Sequence, residues 1–347
     1  MGKLGIAVVG AGAIGRMHAE MIAASDVARL AAIVDPAAPV RALADELGTR
    51  WFADCDEMLA TPGVDAVVIA APNDMHMRLA LATLAAGRPA LVEKPIAATV
   101  EQAQAIETAA RESGATVLVG HHRRHNPIVQ EARRLVREGA IGTPTSIAVI
   151  SNVYKPDAYF APDWRRRAGA GPVLVNMVHE IDLLRFGIGE IVEVQAMTSN
   201  RRRGFENEDT AAVLLRFDNG ALATISLSDA AVSPWSWDLS SGELAPYPPQ
   251  PAPAQSHYLS GSDGALSLPG LGLWRYGAAK DWYEPLTLSR LQPDRANPYL
   301  RQLRHFCAVA RGEEAPLVDA GDGLRTLRAT MAVHESARLG AAIHIRD

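Results

Sequence analysis

The sequence predicts an α/β protein of two domains: a doubly wound parallel sheet, followed by an α+β domain with a large, mostly antiparallel open sheet. The first 122 residues alternate apolar strand patterns with helical patterns, which is typical of βαβ units. Beyond them, strand patterns follow one another with short turns such as Asp218-Asn219-Gly220, a strong hairpin signal. At 347 residues the chain also exceeds what one hydrophobic core usually supports. We therefore predict one domain over residues 1–122 and another over residues 123–347.

The elements of the first domain are predicted from apolar runs that end in turn residues. Its predicted strands are Ile6–Val9, Leu30–Val34, Val64–Ala71, Ala90–Glu93 and Thr116–Val119. Its predicted helices are Ile14–Ala24, Val40–Leu47, Glu57–Ala60, Met75–Ala86 and a helix from the Thr99 capping box to Ser113. In a parallel sheet of this kind, ligands bind at the carboxyl ends of the strands.

The second domain shows fewer helices between its strand patterns. Its predicted strands are Ser146–Tyr154, Ile191–Ser199, Thr210–Phe217 and Ala221–Ser228, with a further turn at Ser262-Asp263-Gly264. Its predicted helices are Ile128–Glu138, Val173–Phe186, Pro298–Arg311 and Gly321–Leu339. A Pro-rich loop is predicted over Pro234–Pro253. Successive strands with short turns indicate an α+β arrangement.

The turn after the first strand carries the most informative motif. Gly10, Gly12 and Gly15 form a Gly-x-Gly-x-x-Gly pattern between an apolar strand and a helix. The first glycine permits the tight turn, the second lets the backbone approach a pyrophosphate, and the third lets the helix pack on the strand. The helix N-terminus adds N–H groups and a positive dipole end for the phosphates. The sequence therefore predicts a Rossmann domain that binds a dinucleotide.

The next strand ends in Asp35, which lies 20 residues beyond Gly15. A carboxylate at this point accepts hydrogen bonds from ribose hydroxyls and repels a 2′-phosphate. The sequence therefore favours NAD over NADP as the cofactor.

Composition narrows the class of protein. The net charge of −5 argues against nucleic acid as a partner. No apolar run is long enough to span a membrane. Cys55 and Cys307 are the two cysteines, and they form no zinc or redox motif. With no export signal at the first strand, we expect a cytoplasmic protein.

Polar residues follow two strands at the edge where ligands bind. Ala71-Pro72-Asn73-Asp74-Met75-His76 comes after one strand, where it would contact the far side of the cofactor, although Asn73 or Asp74 would also serve as an ordinary N-cap. Glu93-Lys94-Pro95 ends the next strand. Beside an apolar strand and a cationic nicotinamide, Lys94 would have a lowered pKa and would accept a proton near neutral pH. The alternative is a solvated lysine that pairs with Glu93.

A helix in the second domain carries Asn176, His179 and Asp182 at a spacing of three residues. The three side chains share one side of a helix that is otherwise apolar. Polar groups on a helix that faces the core are paired or functional. The alternative to a functional role is that Asp182 simply pairs with His179 inside the core.

Together these motifs resemble the glucose–fructose oxidoreductase, inositol dehydrogenase and rhizopine-catabolism family (Gfo/Idh/MocA) of NAD(P)-dependent oxidoreductases. The resemblance spans essentially the whole chain and is carried by residues 10–15, 71–76, 93–95 and 179–182. It implies an active site between the domains, an outward sheet face that forms the dimer contact, and a cis bond before Pro95. It also implies that Lys94 contacts both the substrate hydroxyl and the nicotinamide region and that His179 faces the substrate.

The resemblance completes the set of candidate site residues. The predicted catalytic residues are Lys94 and His179, with Asp182 orienting the histidine or the substrate. The predicted cofactor-binding residues are Gly10, Gly12, Ala13, Ile14, Gly15, Asp35, Ala71, Pro72, Asn73, His76, Glu93 and Lys94. The predicted substrate-binding residues are His122, Arg123, Trp164, Asn176 and His179. One position departs from the inositol-dehydrogenase pattern: Val175 stands where those enzymes carry the aspartate partner of the histidine.

Two other segments contain residue types that are common at functional sites. His121, His122 and His125 suggest a metal, but adjacent strand residues point to opposite faces and no further ligand spacing supports a site, so we predict none. Trp235 and Trp237 lie in the Pro-rich loop, where they would either cover the substrate cleft or pack at a subunit contact.

The sequence thus predicts an NAD-dependent dehydrogenase that transfers hydride between nicotinamide and a secondary alcohol or ketone of a sugar, inositol or related cyclic polyol. A dehydrogenase of a carboxylated cyclic dihydrodiol is the alternative within the same class, and a non-catalytic NAD-binding regulator is the alternative outside it. The expected partners are a small-molecule substrate and further copies of the chain, as a homodimer or homotetramer through the C-terminal sheet.

Overall fold

The computed structural model describes residues 2–243, 247, 252, 254–293 and 296–345. The chain forms two compact units, one of Met1–His122 with Tyr299–Leu327 and the other of Arg123–Pro298 with Arg328–Asp347. The sequence-based prediction places the domain boundary at residue 122. The segment 299–327, however, packs with the first unit rather than with the second domain to which the sequence assigned it.

The first unit contains a parallel sheet with six strands among the described residues, in the order β3-β2-β1-β4-β5-β6. The strands are β1 Leu4–Val9, β2 Ala28–Val34, β3 Arg50–Phe52, β4 Ala66–Ile69, β5 Ala90–Glu93 and β6 Val117–Gly120. The helices are α1 Ala13–Ala23, α2 Val40–Glu46, α3 Cys55–Leu59, α4 His76–Ala85 and α5 Val100–Ser113. The central strands are buried along their length, as the continuous apolar runs of a sheet covered on both faces require.

The second unit contains a mostly antiparallel sheet, with nine strands in the part of the chain that is described. They are β7 Pro144–Asn152, β8 Ile191–Ser199, β9 Thr210–Phe217, β10 Leu222–Ser228, β11 His257–Gly261, β12 Ala265–Leu268, β13 Gly272–Tyr276, β14 Leu286–Arg290 and β15 Ile343–His344. Their order is β14-β13-β12-β11-β7-β10-β9-β8-β15, with β7 and β10 parallel. The helices of this unit are α6 Pro127–Arg137, α7 Val178–Gly187 and the short α8 Trp237–Ser240. Of the two later helices, α9 Pro298–Ala310 lies almost wholly in the first unit, and α10 Ala320–Leu339 begins in the first unit and ends in the second.

The structure confirms the predicted fold class, a parallel doubly wound sheet and a larger antiparallel sheet. Asp218-Asn219-Gly220 joins β9 to β10 in an antiparallel hairpin, as predicted. The sequence prediction missed β3 and the strands β11, β12, β13, β14 and β15. Residues 244–246, 248–251 and 253 of the predicted Pro-rich loop lie outside the described residues.

The predicted helix Val173–Phe186 consists of two pieces. Residues Val173–Met177 form a π-helical turn, and α7 follows directly. Single π-helical turns are rare and often occur at functional sites. The turn carries Asn176 and Val175 immediately before His179.

Candidate active site

The glycine turn has the geometry that its sequence predicts. Gly10 has a φ of +89°, which L side chains rarely adopt. A Cβ on Gly15 would lie 1.9 Å from the carbonyl oxygen of Gly10, so the start of α1 can pack on the turn only without a side chain. A Cβ on Gly12 would meet no atom within 4 Å. The backbone at Gly12 therefore faces open space at the start of α1, where Ala13 and Ile14 are also exposed.

Asp35 lies at the end of β2 and fastens this turn. Its Oδ2 accepts a hydrogen bond of 2.9 Å from the backbone N–H of Ala11, and its Oδ1 accepts one of 2.9 Å from the N–H of Ala37. Each carboxylate oxygen has a second lone pair. Asp35 can thus hold the glycine turn and still accept hydrogen bonds from a ligand.

His76 connects the turns that follow two neighbouring strands. Its Nε2 lies 2.9 Å from the carbonyl oxygen of Ala71, and its Nδ1 lies 2.9 Å from that of Pro95. Burial lowers the pKa of His76, so the ring is neutral at pH 7 and donates to one of the two carbonyls. The structure thus places His76 inside the first unit, where it ties the turn beyond β4 to the turn beyond β5. Asn73 begins the short 3₁₀ turn Asn73–Met75 after Pro72.

Glu93 and Lys94 lie at the end of β5. The Glu93 carboxylate is buried, and its Oε1 lies 2.9 Å from Nε2 of His18 on α1. Burial disfavours the charged carboxylate, but the hydrogen bond and charge of His18, with the charges of His122 and Lys94, hold the pKa of Glu93 below its usual value. The carboxylate is therefore ionised beside the lysine at neutral pH. The Lys94–Pro95 bond is cis, as the resemblance implied.

His18 and Tyr299 were not identified from the sequence as members of this group. Tyr299 stacks on the ring of His122, with 4.1 Å between the ring centroids, and meets His18 edge-on at 6.1 Å. His122 is thus a buried residue of the first unit packed on an aromatic ring. His18 lies on α1, and the sequence of that helix does not show that its side chain faces Glu93.

In the second unit, His179 lies near the start of α7 and is buried. Asn176, on the π-helical turn, accepts a hydrogen bond of 2.8 Å from Nζ of Lys155 through its Oδ1. Lys155 follows β7 and was not among the predicted site residues. Val175 stands where the inositol-dehydrogenase pattern has an aspartate. The charged group at this turn is instead Lys155, which is bound to the neighbouring Asn176.

Asp182 is bound to an arginine that the sequence did not pair with it. Nε of Arg124 donates to Oδ2 of Asp182 at 2.9 Å, and Nη2 donates to Oδ1 at 2.7 Å. Both residues are buried. Two parallel hydrogen bonds fix the carboxylate in one orientation. The expected pairing of Asp182 with His179 stays a prediction.

Arg123 occupies the interior of the second unit. Its guanidinium donates to Glu180 at 3.0 Å and to Asp238 at 2.8 Å, and the arginine is buried. Glu180 also lies 2.9 Å from Nε2 of His257. Burial opposes ionisation of Glu180, but Arg123 and His257 outweigh it and lower its pKa to about 2. The role of Arg123 in substrate binding, expected from its sequence position, stays a prediction.

The tryptophans of the two loops differ in exposure. Trp164 is 57% exposed, and the guanidinium of Arg165 lies 5.2 Å from its ring centroid. Trp237 is fully buried, with the guanidinium of Arg123 at 5.8 Å from its ring. Trp237 is therefore a core residue, which neither of the two expected roles describes. Trp235 remains half exposed.

Two kinds of feature are absent from the part of the chain that the structure describes. Among the described residues, no group of three or more histidine, cysteine, aspartate or glutamate side chains has the arrangement of a metal site. Within the same residues, no helix has both the length and the apolar character needed to cross a membrane.

The parallel sheet, the side-chain-free glycine turn at the start of α1 and the carboxylate at the end of β2 define a dinucleotide-binding protein of the Rossmann class. Residues 4–121 match the family model described as oxidoreductase family, NAD-binding Rossmann fold, and residues 129–265 match the GFO/IDH/MocA C-terminal domain. The chain belongs to the GFO/IDH/MocA family and is an NAD-binding oxidoreductase.

Individual relatives act on several sugars and cyclitols, as their names state. The chain is 29% identical over 302 residues to 1,5-anhydro-D-fructose reductase of Ensifer adhaerens, covering 84% of this chain and 82% of the relative. It is 24% identical over 355 residues to scyllo-inositol 2-dehydrogenase (NAD(+)) of Bacillus subtilis (strain 168), covering 98% and 95%. The WlbA dehydrogenase from Bordetella pertussis, solved in complex with NADH and UDP-GlcNAcA, superposes with a TM-score of 0.80 at 25% identity over 99% of each chain.

Proposed function

We propose that the protein is an NAD-dependent dehydrogenase that transfers hydride between nicotinamide and a CH–OH group, or the corresponding ketone, of a sugar, inositol or related cyclic polyol. The observation that carries this proposal is Lys94, held at the carboxyl end of β5 beside the ionised, buried Glu93. A lysine at this end of a parallel sheet lies where such sheets bind their ligands. The activities named for the relatives support the same substrate class.

The residues of the first unit fit an NAD-type dinucleotide. Gly12 offers open space for a pyrophosphate, and the N-terminal N–H groups of α1 would bind it. Asp35 would accept hydrogen bonds from the ribose hydroxyls, and its charge would repel the 2′-phosphate of NADP. The turns after β4 and β5, joined by His76, would line the nicotinamide side through Ala71, Pro72, Asn73 and Glu93.

When bound, NAD supplies the hydride acceptor at C4 of its nicotinamide ring. Lys94, charged beside Glu93 in the free protein, would lose its own proton once a cationic nicotinamide lay beside it, and would then accept the proton of the substrate hydroxyl. His179 would hydrogen-bond the reacting oxygen and pass the proton onward, while Asn176 contacts the substrate. Asp182, fixed by Arg124, would act as a positioning residue that holds the helix of His179 in place. Ketone reduction is the same sequence of steps in reverse.

Turnover of a substrate panel by wild type and by Lys94→Ala tests this proposal. Sugars, inositols, uronates and cyclic diols are each offered with NAD or NADP, and formation of reduced cofactor is followed by absorbance. General acid–base catalysis contributes about 10²–10⁴-fold, so we expect Lys94→Ala to lower kcat by about that factor while NADH binding persists. Lys280→Ala, at an exposed lysine bound to Asp263, is the control and should keep wild-type turnover.

Three outcomes separate the alternatives. Near wild-type turnover in Lys94→Ala would refute the role of this lysine. Tight NADH binding without turnover of any panel member would favour a non-catalytic NAD-binding regulator. A preference for NADP would refute the role of Asp35 in cofactor selection.

We also propose that copies of the chain associate through the open face of the second sheet. The residues of β9 and β10 that point away from the core include Leu214 and Leu222, which are about half exposed. Thr224 pairs with Leu214 across these strands, and Ala148 of β7 pairs with Thr224. A contiguous surface of small and apolar side chains of this kind favours contact with a second protein surface.

A further inference from the structure

Lys155 is a buried cation of the second unit that the proposed mechanism leaves unused. It follows β7, and its Nζ donates to Oδ1 of Asn176 at 2.8 Å and lies 3.6 Å from Oδ2 of Asp229. Nζ also lies 4.9 Å from the centroid of the Tyr159 ring. An ammonium group carries three N–H donors. One N–H donates to Asn176 at hydrogen-bond distance, whereas the carboxylate of Asp229, at 3.6 Å, is farther away.

The charges around Lys155 do not balance. Asp229 is also bound to Arg203, whose Nε lies 3.0 Å from its Oδ1, so two buried cations share one buried carboxylate. Asp157, which lies 3.7 Å from Arg203, is almost fully exposed, so solvent screens its charge. Asp238 contributes at longer range, but it is bound to Arg123. The cluster around Lys155 and Arg203 therefore has an excess of about one positive charge.

Burial shifts the pKa values of both Lys155 and Asp229 toward their neutral forms. Burial lowers the pKa of Lys155, and Asp229 only partly restores it. Burial likewise raises the pKa of Asp229, against the attraction of Lys155 and Arg203. A second anion near Nζ would stabilise the charged lysine.

Arg165 is a second cation that lies against the Tyr159 ring. Its guanidinium carbon lies 4.1 Å from the centroid of the Tyr159 ring, and its Nη1 donates to the Tyr159 carbonyl at 2.7 Å. Among the residues that the structure describes, its Nε is buried and has no hydrogen-bond acceptor. A buried N–H without an acceptor is costly unless a ligand supplies one.

The position of Lys155 connects this cluster to the substrate. Its acceptor Asn176 lies three residues before His179, at the π-helical turn that leads into α7. A ligand group held by Lys155 would therefore lie beside the residues assigned to the substrate.

We propose that Lys155, supported by Arg165, binds a carboxylate of the substrate, so that the enzyme prefers a sugar acid or carboxylated cyclic polyol to the neutral analogue. The proposal rests on the proposed function for the identity of the ligand as a substrate. The excess of positive charge suits an anionic group of a ligand, and a charge-assisted hydrogen bond gives the recognition both strength and direction. Lys155 is thus a specificity-determining residue.

Calorimetric titration of the NADH-loaded protein with D-glucose, D-glucuronate and D-glucose 6-phosphate tests this assignment. The three probes share one ring and differ in the group on C6. A hydrogen bond to a charged group corresponds to about 10-fold to 100-fold in affinity, so we expect D-glucuronate to bind more tightly than D-glucose by about that factor. Lys155→Met should abolish the preference, and Lys155→Arg should retain much of it. Asn176→Asp keeps the lysine but adds a competing carboxylate, and it should lower the ratio of the affinity for D-glucuronate to that for D-glucose.

The outcomes are distinct from those that test hydride transfer. An equal affinity of wild type for D-glucose and D-glucuronate, no binding of D-glucuronate, or an unchanged preference in Lys155→Met would overturn the proposal. Preference for D-glucose 6-phosphate alone would overturn the assignment to a carboxylate. If Lys155→Met does not fold, the Lys155→Arg and Asn176→Asp titrations decide. Binding with the expected preference but without turnover would instead count against the dehydrogenase activity.

Discussion

Two acidic residues of α7 and two consecutive arginines are buried together in the second unit. Asp182 binds Arg124 through two hydrogen bonds, and Glu180 binds Arg123. The attraction within a buried pair is offset by the cost of removing both charges from water. Such a pair adds little net stability, yet loss of one partner leaves an uncompensated charge inside the protein.

We therefore expect Asp182→Asn and Arg124→Met each to lower the free energy of unfolding by about 3–5 kcal/mol. The double variant Arg124→Met/Asp182→Leu should recover most of this loss, because neither charge is then left alone. Urea unfolding followed by tryptophan fluorescence measures these changes, since Trp237 is buried in the same unit.

Asp163→Asn is the matched control, because Asp163 pairs with Arg166 at an exposed position. Its loss should cost less than about 1 kcal/mol. If Asp182→Asn destabilised the protein no more than Asp163→Asn, the pair with Arg124 would not be what holds α7. A large loss of kcat in an Asp182→Asn protein of unchanged stability would favour direct action of Asp182 on His179 or the substrate.

At the scale of elements, two glycines of the turn from β1 to α1 differ in the space around them. A side chain on Gly15 would collide with the backbone of Gly10, whereas one on Gly12 would enter open space. Gly12 has a φ of −64°, which alanine adopts without strain. The packing of α1 therefore requires glycine at position 15 but not at position 12, although one motif predicts both.

Alanine at position 15 should lower the stability of the protein, whereas alanine at position 12 should lower its affinity for NADH. Gly15→Ala should destabilise the protein without ligand by about 1–3 kcal/mol, as overpacking does. Gly12→Ala should change that stability by no more than about 0.5 kcal/mol. Its added methyl group should nevertheless weaken NADH binding by about tenfold or more, equivalent to about 1.4 kcal/mol. Thermal unfolding and NADH fluorescence titration measure the two effects; a Gly12→Ala protein with wild-type affinity would show that the pyrophosphate lies elsewhere.

The strands and helices that the sequence predicted correctly have strong local signals. The apolar run before Gly10 and the capping residue Thr99 depend only on nearby residues, and Thr99 accepts the N–H of Gln102 as expected. The π-helical turn at Val173–Met177 has no such signal. Its first N–H is bound by Glu208, which lies 35 residues further along the chain. A distant side chain thus helps to set the backbone conformation there.

The same distinction applies to the candidate site. Lys94 could be identified because a short motif ends a predicted strand. His18, Arg124 and Lys155 could not, because their partners Glu93, Asp182 and Asn176 are 75, 58 and 21 residues away. Helical spacing suggested a partner for Asp182 on its own helix, whereas tertiary packing supplied the arginine. Polar residues on core-facing elements can be recognised from sequence, but their partners come from the fold.

At the scale of the whole molecule, each of the two units contains two separate segments of the chain. The segment Tyr299–Leu327 belongs to the first unit, where the carbonyl oxygen of Val318 accepts the N–H of Val119 in β6 at 2.9 Å. Gly323 also packs against Val119, leaving no space for a Cβ. The end of β6 is thus covered by residues almost 200 positions later in the chain, a contact that strand and helix patterns do not predict.

The association of copies that we propose would use the exposed face of β7, β8, β9 and β10. A groove of about 410 Å³ crosses this face and is lined by Leu214, Leu222 and Thr224, among others. Leu214 points into solvent from the middle of a central strand, so it would lie inside a contact between two copies.

Leu214→Glu would bury a charge in that contact, at a cost that a hydrophobic interface does not offset. We expect wild type to sediment as a dimer or tetramer and Leu214→Glu to sediment as a monomer. Leu339→Glu, at a similarly exposed leucine on the last turn of α10, should leave the assembly intact. Sedimentation velocity at micromolar concentration distinguishes these states. A monomeric wild type, or dissociation by both variants alike, would exclude this face as the interface.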